Sequence, residues 1–248
     1  MTYILGSLCT DGVVLVGDRK IMLEGGASHE YENKLFVCVP WMVVSSSGIL
    51  GLFEKFRDRL TGYLGSPEYN DNANVYNLTS EIERLTRELN DDYSEVLRGR
   101  VFDVLLGIQA TTEAVLKYIH ASGFAEGVRR YKVIGHGEPY GSLFLKYWWR
   151  RNMSMLEVAE LGFFVIKLIQ EFELDNTVGI GNGYPQIVLI PNPENKEGEI
   201  EEGGVLPTIR SLSNSELSDL KEKVVRRLER FKKQSLSWEI DDLLKRRS

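Results

Sequence analysis

Apolar residues recur along this chain with two periods, and the switches between them outline its elements. Residues 3–8 and 13–18 are short β-prone runs separated by Cys9-Thr10-Asp11-Gly12. The Asp-Gly step predicts a hairpin. In an antiparallel hairpin the start of one strand faces the end of its partner, so Asp18 is expected beside Thr2. Residues 35–39 and 41–46 form a second apolar pair around Pro40, a residue confined to turns and strand edges.

Ser45-Ser46-Ser47-Gly48 then opens a helical pattern over 49–64, with Leu50, Phe53, Phe56, Leu60 and Leu64 near helical spacing. After a polar loop, Leu78, Ile82, Leu85 and Leu89 predict an amphipathic helix over 75–96. Strand-like sequence returns at 101–108, 114–120 and 130–134. Gly135-His136-Gly137-Glu138-Pro139 leads into a helix over 140–150, and a further helix over 155–172 has Ser154 as its cap. Residues 186–190 read as a buried strand, and the acidic, turn-rich stretch 191–204 as an exposed loop. From Asn214 onward, Leu217, Leu220, Val224, Leu228 and Phe231 mark one face of a charged helix, extended by Trp238, Ile240, Leu243 and Leu244.

Paired strands alternating with paired helices predict an α+β fold, two sheets face to face with helices outside, in four αββα layers. A chain of 248 residues that is 43% hydrophobic has the material for one large sandwich of this kind. The C-terminal helix is too small to build a core of its own.

The net charge of −6 gives no electrostatic reason to expect nucleic acid. The basic residues of the C-terminal helix are interleaved with acids and read as a solvated face. Cys9 and Cys38 form neither a disulfide framework nor a C-x-x-C pair and read as free thiols. No apolar run approaches the ~20 residues that span a bilayer, and no signal peptide is evident, so no membrane partner and a cytoplasmic location are expected. His29, His120 and His136 are scattered, without metal-ligand spacing. Walker loops, dinucleotide fingerprints and G-x-S-x-G are absent. The expectation is a protein with no metal or cofactor, any ATP being handled by a separate ATPase.

Thr2 carries the chemistry. Were Met1 removed, one residue would present a hydroxyl nucleophile and a free α-amine titrating near 7.7–8.0, an amine able to take the hydroxyl proton and return it. A retained methionine blocks that amine.

In its sequence T-x₉-G-V-V-L-V-G-D-R at the start, its N-K-L-F box, the S-S-S-G before the first helix and V-I-G-x-G-x-P before the third, the chain resembles proteasome β-subunits within the N-terminal nucleophile hydrolases. The resemblance covers roughly residues 2 to 190. It implies Thr2 as nucleophile, Lys34 as the ammonium near it, Asp18 as the carboxylate fixing that lysine, and the Gly48 amide as oxyanion-hole donor. Arg19, Glu138 and Asp175 are candidate support residues. The resemblance also divides the chain into a proteasome-like domain, 1–212, and a charged helical extension, 213–248.

Two segments depart from the family pattern. Active β-subunits carry Gly-Ser-Gly-Ser before the third helix, where this chain has Gly135-His136-Gly137-Glu138, with Glu138 replacing the serine that supports the threonine amine. In place of the later Asp-x-x-Ser-Gly-Gly it has Asp175-Asn176-Thr177-Val178-Gly179-Ile180-Gly181. The expected function is a threonine-type peptidase acting on peptide or unfolded protein, assembled as a homo-oligomer or ring. Anbu-type bacterial relatives and archaeal connectases are similar in lacking a long propeptide. A connectase-like transpeptidase and a catalytically silent ring subunit are therefore the alternatives.

Overall fold

Alternation along each strand sorts the apolar side chains into three cores, and the three cores define four layers. The computed structural model describes residues 3–22, 28–31, 33–66, 69, 75–97, 101–175, 177–180, 183–193 and 208–245, without the side chains of 21–22, 28–31, 50, 96 and 235–245. The chain opens with β1 (Ile4–Cys9) and β2 (Gly12–Gly17), a ribbon of β3 (Lys20–Met22) and β4 (Ser28–Tyr31), and a second hairpin of β5 (Leu35–Val39) and β6 (Met42–Ser46). Helices α1 (Leu50–Leu64), α2 (Val75–Asp92) and the short α3 (Ser94–Leu97) follow. Next come β7 (Val104–Gln109), β8 (Ala114–Ile119), β9 (Ala125–Gly127) and β10 (Tyr131–Ile134), then α4 (Glu138–Trp148) and α5 (Met155–Glu171). The chain closes with β11 (Gln186–Pro191), β12 (Arg210–Ser211) and the long α6 (Asn214–Lys245).

One five-stranded sheet runs β10-β1-β2-β11-β12 and the other β5-β6-β7-β8-β9, all neighbours antiparallel. On β2, Val13 and Leu15 face the other sheet while Val14 and Val16 face the helices. On β6, Val43 lies between the sheets, and Met42 and Val44 turn toward α1 and α2. Two glycines let the sheets approach. A Cβ on Gly6 would come 2.7 Å from the Leu105 side chain, and one on Gly107 2.2 Å from that of Ile190.

α5 is apolar on nearly every face because it is covered on both sides, by the sheet and by α6. Its start is fixed by a capping box between Ser154 and Glu157. Leu220, Val224 and Leu228 of α6 belong to the same core as the buried face of α5.

The elements follow the sequence pattern with local differences. The helix expected over 75–96 is interrupted at Tyr93, α2 ending at Asp92 and α3 running from Ser94 to Leu97, and the Asn90 side chain bonds both the amide and the carbonyl of Phe102. The short strands β3, β4, β9 and β12 are not foreseen. At two to four residues each, they are too brief to display a period.

Candidate active site

The register of the first hairpin, Ile4 opposite Gly17, brings Tyr3 against Asp18 at one end of the sandwich. The Asp18 amide donates to the Tyr3 carbonyl at 2.9 Å, and the Tyr3 amide donates back to Asp18 Oδ1 at 2.8 Å. Met1 and Thr2 lie outside the described residues. Tyr3 carries the peptide bond that joins it to Thr2, so the carboxylate holds the backbone immediately after the candidate nucleophile.

Lys34 reaches this point from the other sheet. Its Nζ donates to Asp18 Oδ1 at 2.6 Å and to the Lys20 carbonyl at 2.8 Å. Asp18 is fully buried and Lys34 nearly so. Asp18 Oδ2 accepts from the Gly179 amide at 3.2 Å. One carboxylate thus organises three segments: the residue leading into β1, the residue leading into β5, and the backbone at Gly179. Burial pushes the Lys34 ammonium below the usual lysine range, opposed by the Asp18 charge. Burial likewise raises the Asp18 carboxyl, opposed by Lys34 and by the Tyr3 and Gly179 amides. Such a pair is stable only while each charge keeps its partners.

Gly48 stands at the same end. Leu35 pairs with Ser45, so the segment after β6 leaves the sheet beside Lys34. Gly48 has φ of +122°, a conformation that favours glycine, and lies just before α1, whose N-cap is Ile49. A Cβ there would also lie 3.3 Å from the Val101 carbonyl. The neighbouring Ser47 amide donates to the Asp103 carbonyl at 3.0 Å, which pins the turn.

The candidate support residues are placed differently. Arg19 joins the site through its backbone, its amide donating to the Gly179 carbonyl at 3.2 Å, while its guanidinium donates to Asn33 Oδ1 at 3.2 Å. Asp175 folds back on its own turn, Oδ1 accepting from the Thr177 amide at 2.8 Å and from its hydroxyl at 2.6 Å. Glu138 opens α4, but its carboxylate pairs with Lys132 Nζ at 3.1 Å. Beside the site lies an open cleft of about 1000 Å³, lined among others by Lys20, His136, Gln170, Glu173 and Asp175.

The family model for the proteasome subunit matches residues 2–180. The chain belongs to the proteasome subunit family. Comparison with curated proteins finds no match. Among solved structures, a mutant of Anbu from Hyphomicrobium sp. strain MC1 superposes with a TM-score of 0.71 at 17% identity, over 96% of this chain and 97% of the other. Anbu, an ancestral β-subunit, from Yersinia bercovieri superposes with a TM-score of 0.70 at 15% identity, over 94% and 97%. At these identities the likeness is one of fold, a proteasome-like α+β sandwich.

In this member of the proteasome subunit family, Gly137 and Gly141 at the start of α4 have a packing role. A Cβ on Gly137 would come 3.0 Å from the Tyr3 ring, and one on Gly141 2.4 Å from it. The glycines seat that ring. Sequence reasoning missed Tyr3 and Gly179 as ligands of Asp18, and also Gln186, which bonds the backbone of Leu35. A polar residue opening an otherwise apolar strand is the only signal the last one leaves. Among the described residues no helix is long and apolar enough to cross a membrane, and no group of His, Cys, Asp and Glu could hold a metal ion.

Proposed function

We propose that this protein is a threonine-type N-terminal nucleophile amidohydrolase, a proteasome-like peptidase acting through an acyl-enzyme on Thr2 once Met1 is removed. The observation that supports it is the double use of Asp18 Oδ1, which binds the Lys34 ammonium and the amide joined to Thr2.

In this reading the Thr2 hydroxyl attacks a peptide carbonyl and passes its proton to the Thr2 α-amine. The Lys34 charge lowers the pKa of that amine toward neutrality. The Gly48 amide donates to the oxyanion of the tetrahedral intermediate. Collapse breaks the C–N bond, the amine returns its proton to the leaving nitrogen, and water then hydrolyses the ester. No cofactor enters these steps. The exposed Leu143 and Tyr147, one turn apart on α4, support self-association into a homo-oligomer. Two free cysteines fit a cytoplasmic setting.

Labelling by a β-lactone or epoxyketone, read by intact mass, tests the reading. Wild-type protein lacking Met1 is expected to take one label and Thr2→Ala none. Burial pushes the Cys9 and Cys38 thiols up to about 12, so they remain protonated and do not compete for the electrophile. Labelling that persists in Thr2→Ala, or protein from its own cells that always keeps Met1, removes the proposal. An amine added to the acyl-enzyme separates the outcomes, since ligated product identifies a transpeptidase and hydrolysed product a peptidase.

A further inference from the structure

We infer that Gln186 is a positioning residue for Lys34, tying the lysine-bearing strand to the aspartate-bearing sheet; the inference rests on the threonine-nucleophile reading above. Among the described residues β5 is an edge strand, paired with β6. At its first residue, Leu35, the N–H and C=O turned away from β6 meet no strand among the described residues. Gln186 supplies the missing partner. The Leu35 amide donates to Gln186 Oε1 at 2.9 Å, and Gln186 Nε2 donates to the Leu35 carbonyl at 2.8 Å. The two bonds run in opposite senses, so the amide fits in one orientation only.

The place of this clamp gives it meaning. Gln186 pairs through its own backbone with Gly17, the residue before Asp18, and its side chain holds Leu35, the residue after Lys34. It therefore fixes the two strands at the positions adjoining the ion pair. Leu35 lies over Gly17, whose Cβ, if built, would be 3.6 Å from the leucine side chain. At the opposite end of the sandwich, comparable work is done by Gln109, which donates to the Pro191 carbonyl at 2.9 Å, and by Asn192, which accepts from the Ala114 amide at 2.9 Å. At the site end the clamp sets how far the ammonium stands from the first residues of the chain. Catalysis is sensitive to that spacing, since about 1 Å of misplacement can cost about a hundredfold in rate.

Gln186→Leu keeps similar bulk and removes both bonds. With the full-length processed protein and a β-lactone probe, the maximal labelling rate is expected to fall roughly ten- to a hundredfold while the probe's half-saturating concentration changes little. The pH midpoint of labelling should move as well. Gln186→Glu keeps the acceptor for the Leu35 amide but sets a carboxylate against its carbonyl; it should be impaired too, and it carries the test if Gln186→Leu does not fold. A folded variant that labels at the wild-type rate with the wild-type pH profile overturns the assignment. If wild-type protein takes no label, the nucleophile reading fails and the positioning is read independently by NMR of lysine labelled at Cε. A Lys34 titration midpoint displaced in Gln186→Leu supports the clamp, and one unchanged from wild type overturns it.

Discussion

Asp18 directly follows β2 and Lys34 directly precedes β5, strands of different sheets, yet their charged atoms meet at 2.6 Å in the interior. The pair is what the two halves of the sandwich share at the candidate site. Removing either member leaves the other charged and buried, which costs about 3–5 kcal/mol. The two losses should be unequal. Lys34→Met leaves a carboxylate that still accepts from the Tyr3 and Gly179 amides, whereas Asp18→Ala takes the counter-charge from the ammonium and the acceptor from both amides together. Chemical denaturation is expected to rank Asp18→Ala below Lys34→Met, with labelling lost in both. The reverse order would mean that the amides contribute little to holding Asp18.

Gly48 separates catalysis from stability. Its φ of +122° is unfavourable for alanine, and backbone strain of this sort costs about 1–3 kcal/mol. Gly48→Ala should therefore fold with a modest drop in denaturation midpoint. Relief of the strain turns the amide away from the oxyanion, and losing one such donor costs about 10²–10³ in rate. Steady labelling kinetics in a folded Gly48→Ala protein would remove the Gly48 amide from the mechanism.

How much of this was legible without coordinates varies by residue. The return of Asp18 to the first residues of the chain follows from the Asp-Gly turn, because a short turn fixes the register of the strands it joins; the expected neighbour, Thr2, lies outside the described residues, and Tyr3 is the residue found there. The helical stripe of Leu78, Ile82, Leu85 and Leu89 is readable for the same local reason. Lys34 is different. Nothing in its spacing from Asp18 says that β5 crosses to face β2 from another sheet, and the family resemblance alone marked it. Gln186 lies 151 residues from Leu35 and has no partner visible in the sequence. Aligning Glu138 with a serine likewise says nothing about Lys132, which pairs with its carboxylate.

Glu216 gives a test in pH. It forms a capping box with Ser213 at the start of α6 and a two-bond ion pair with Arg210. The Arg210 hydrogen bonds, with those from Ser213, hold its carboxyl down at about 2, against about 4.3 for an unfolded glutamate. A lowered folded value means stability that is present above the unfolded pKa and lost as the pH falls toward the folded one. The site is partly exposed and screened, so the contribution is about 1 kcal/mol or less. The stability difference between wild type and Glu216→Gln should be full near pH 6 and shrink below about pH 4. A difference that does not change with pH would show that the charge of Glu216 contributes nothing.

The same helix decides whether residues 213–248 are an appendage or a structural layer. Leu220, Val224 and Leu228 are buried against α5, and Phe231 packs edge-on to Phe164, Phe172 and Trp148. Arg227 lies over the Phe164 ring at 4.5 Å, and Lys232 pairs with Glu171 near the end of α5. Without this cover, α5 would expose a face that is apolar around most of its circumference. Leu220→Ala should cost about 2–5 kcal/mol, as a leucine removed from a packed core does. Arg226→Ala, on the solvent face, should stay within about 0.5 kcal/mol. Truncation after Ser213 is expected to yield aggregating protein, checked by light scattering beside the denaturation midpoints of the point variants. If the truncated chain were monodisperse and as stable as the whole, α6 would not be needed to close this core.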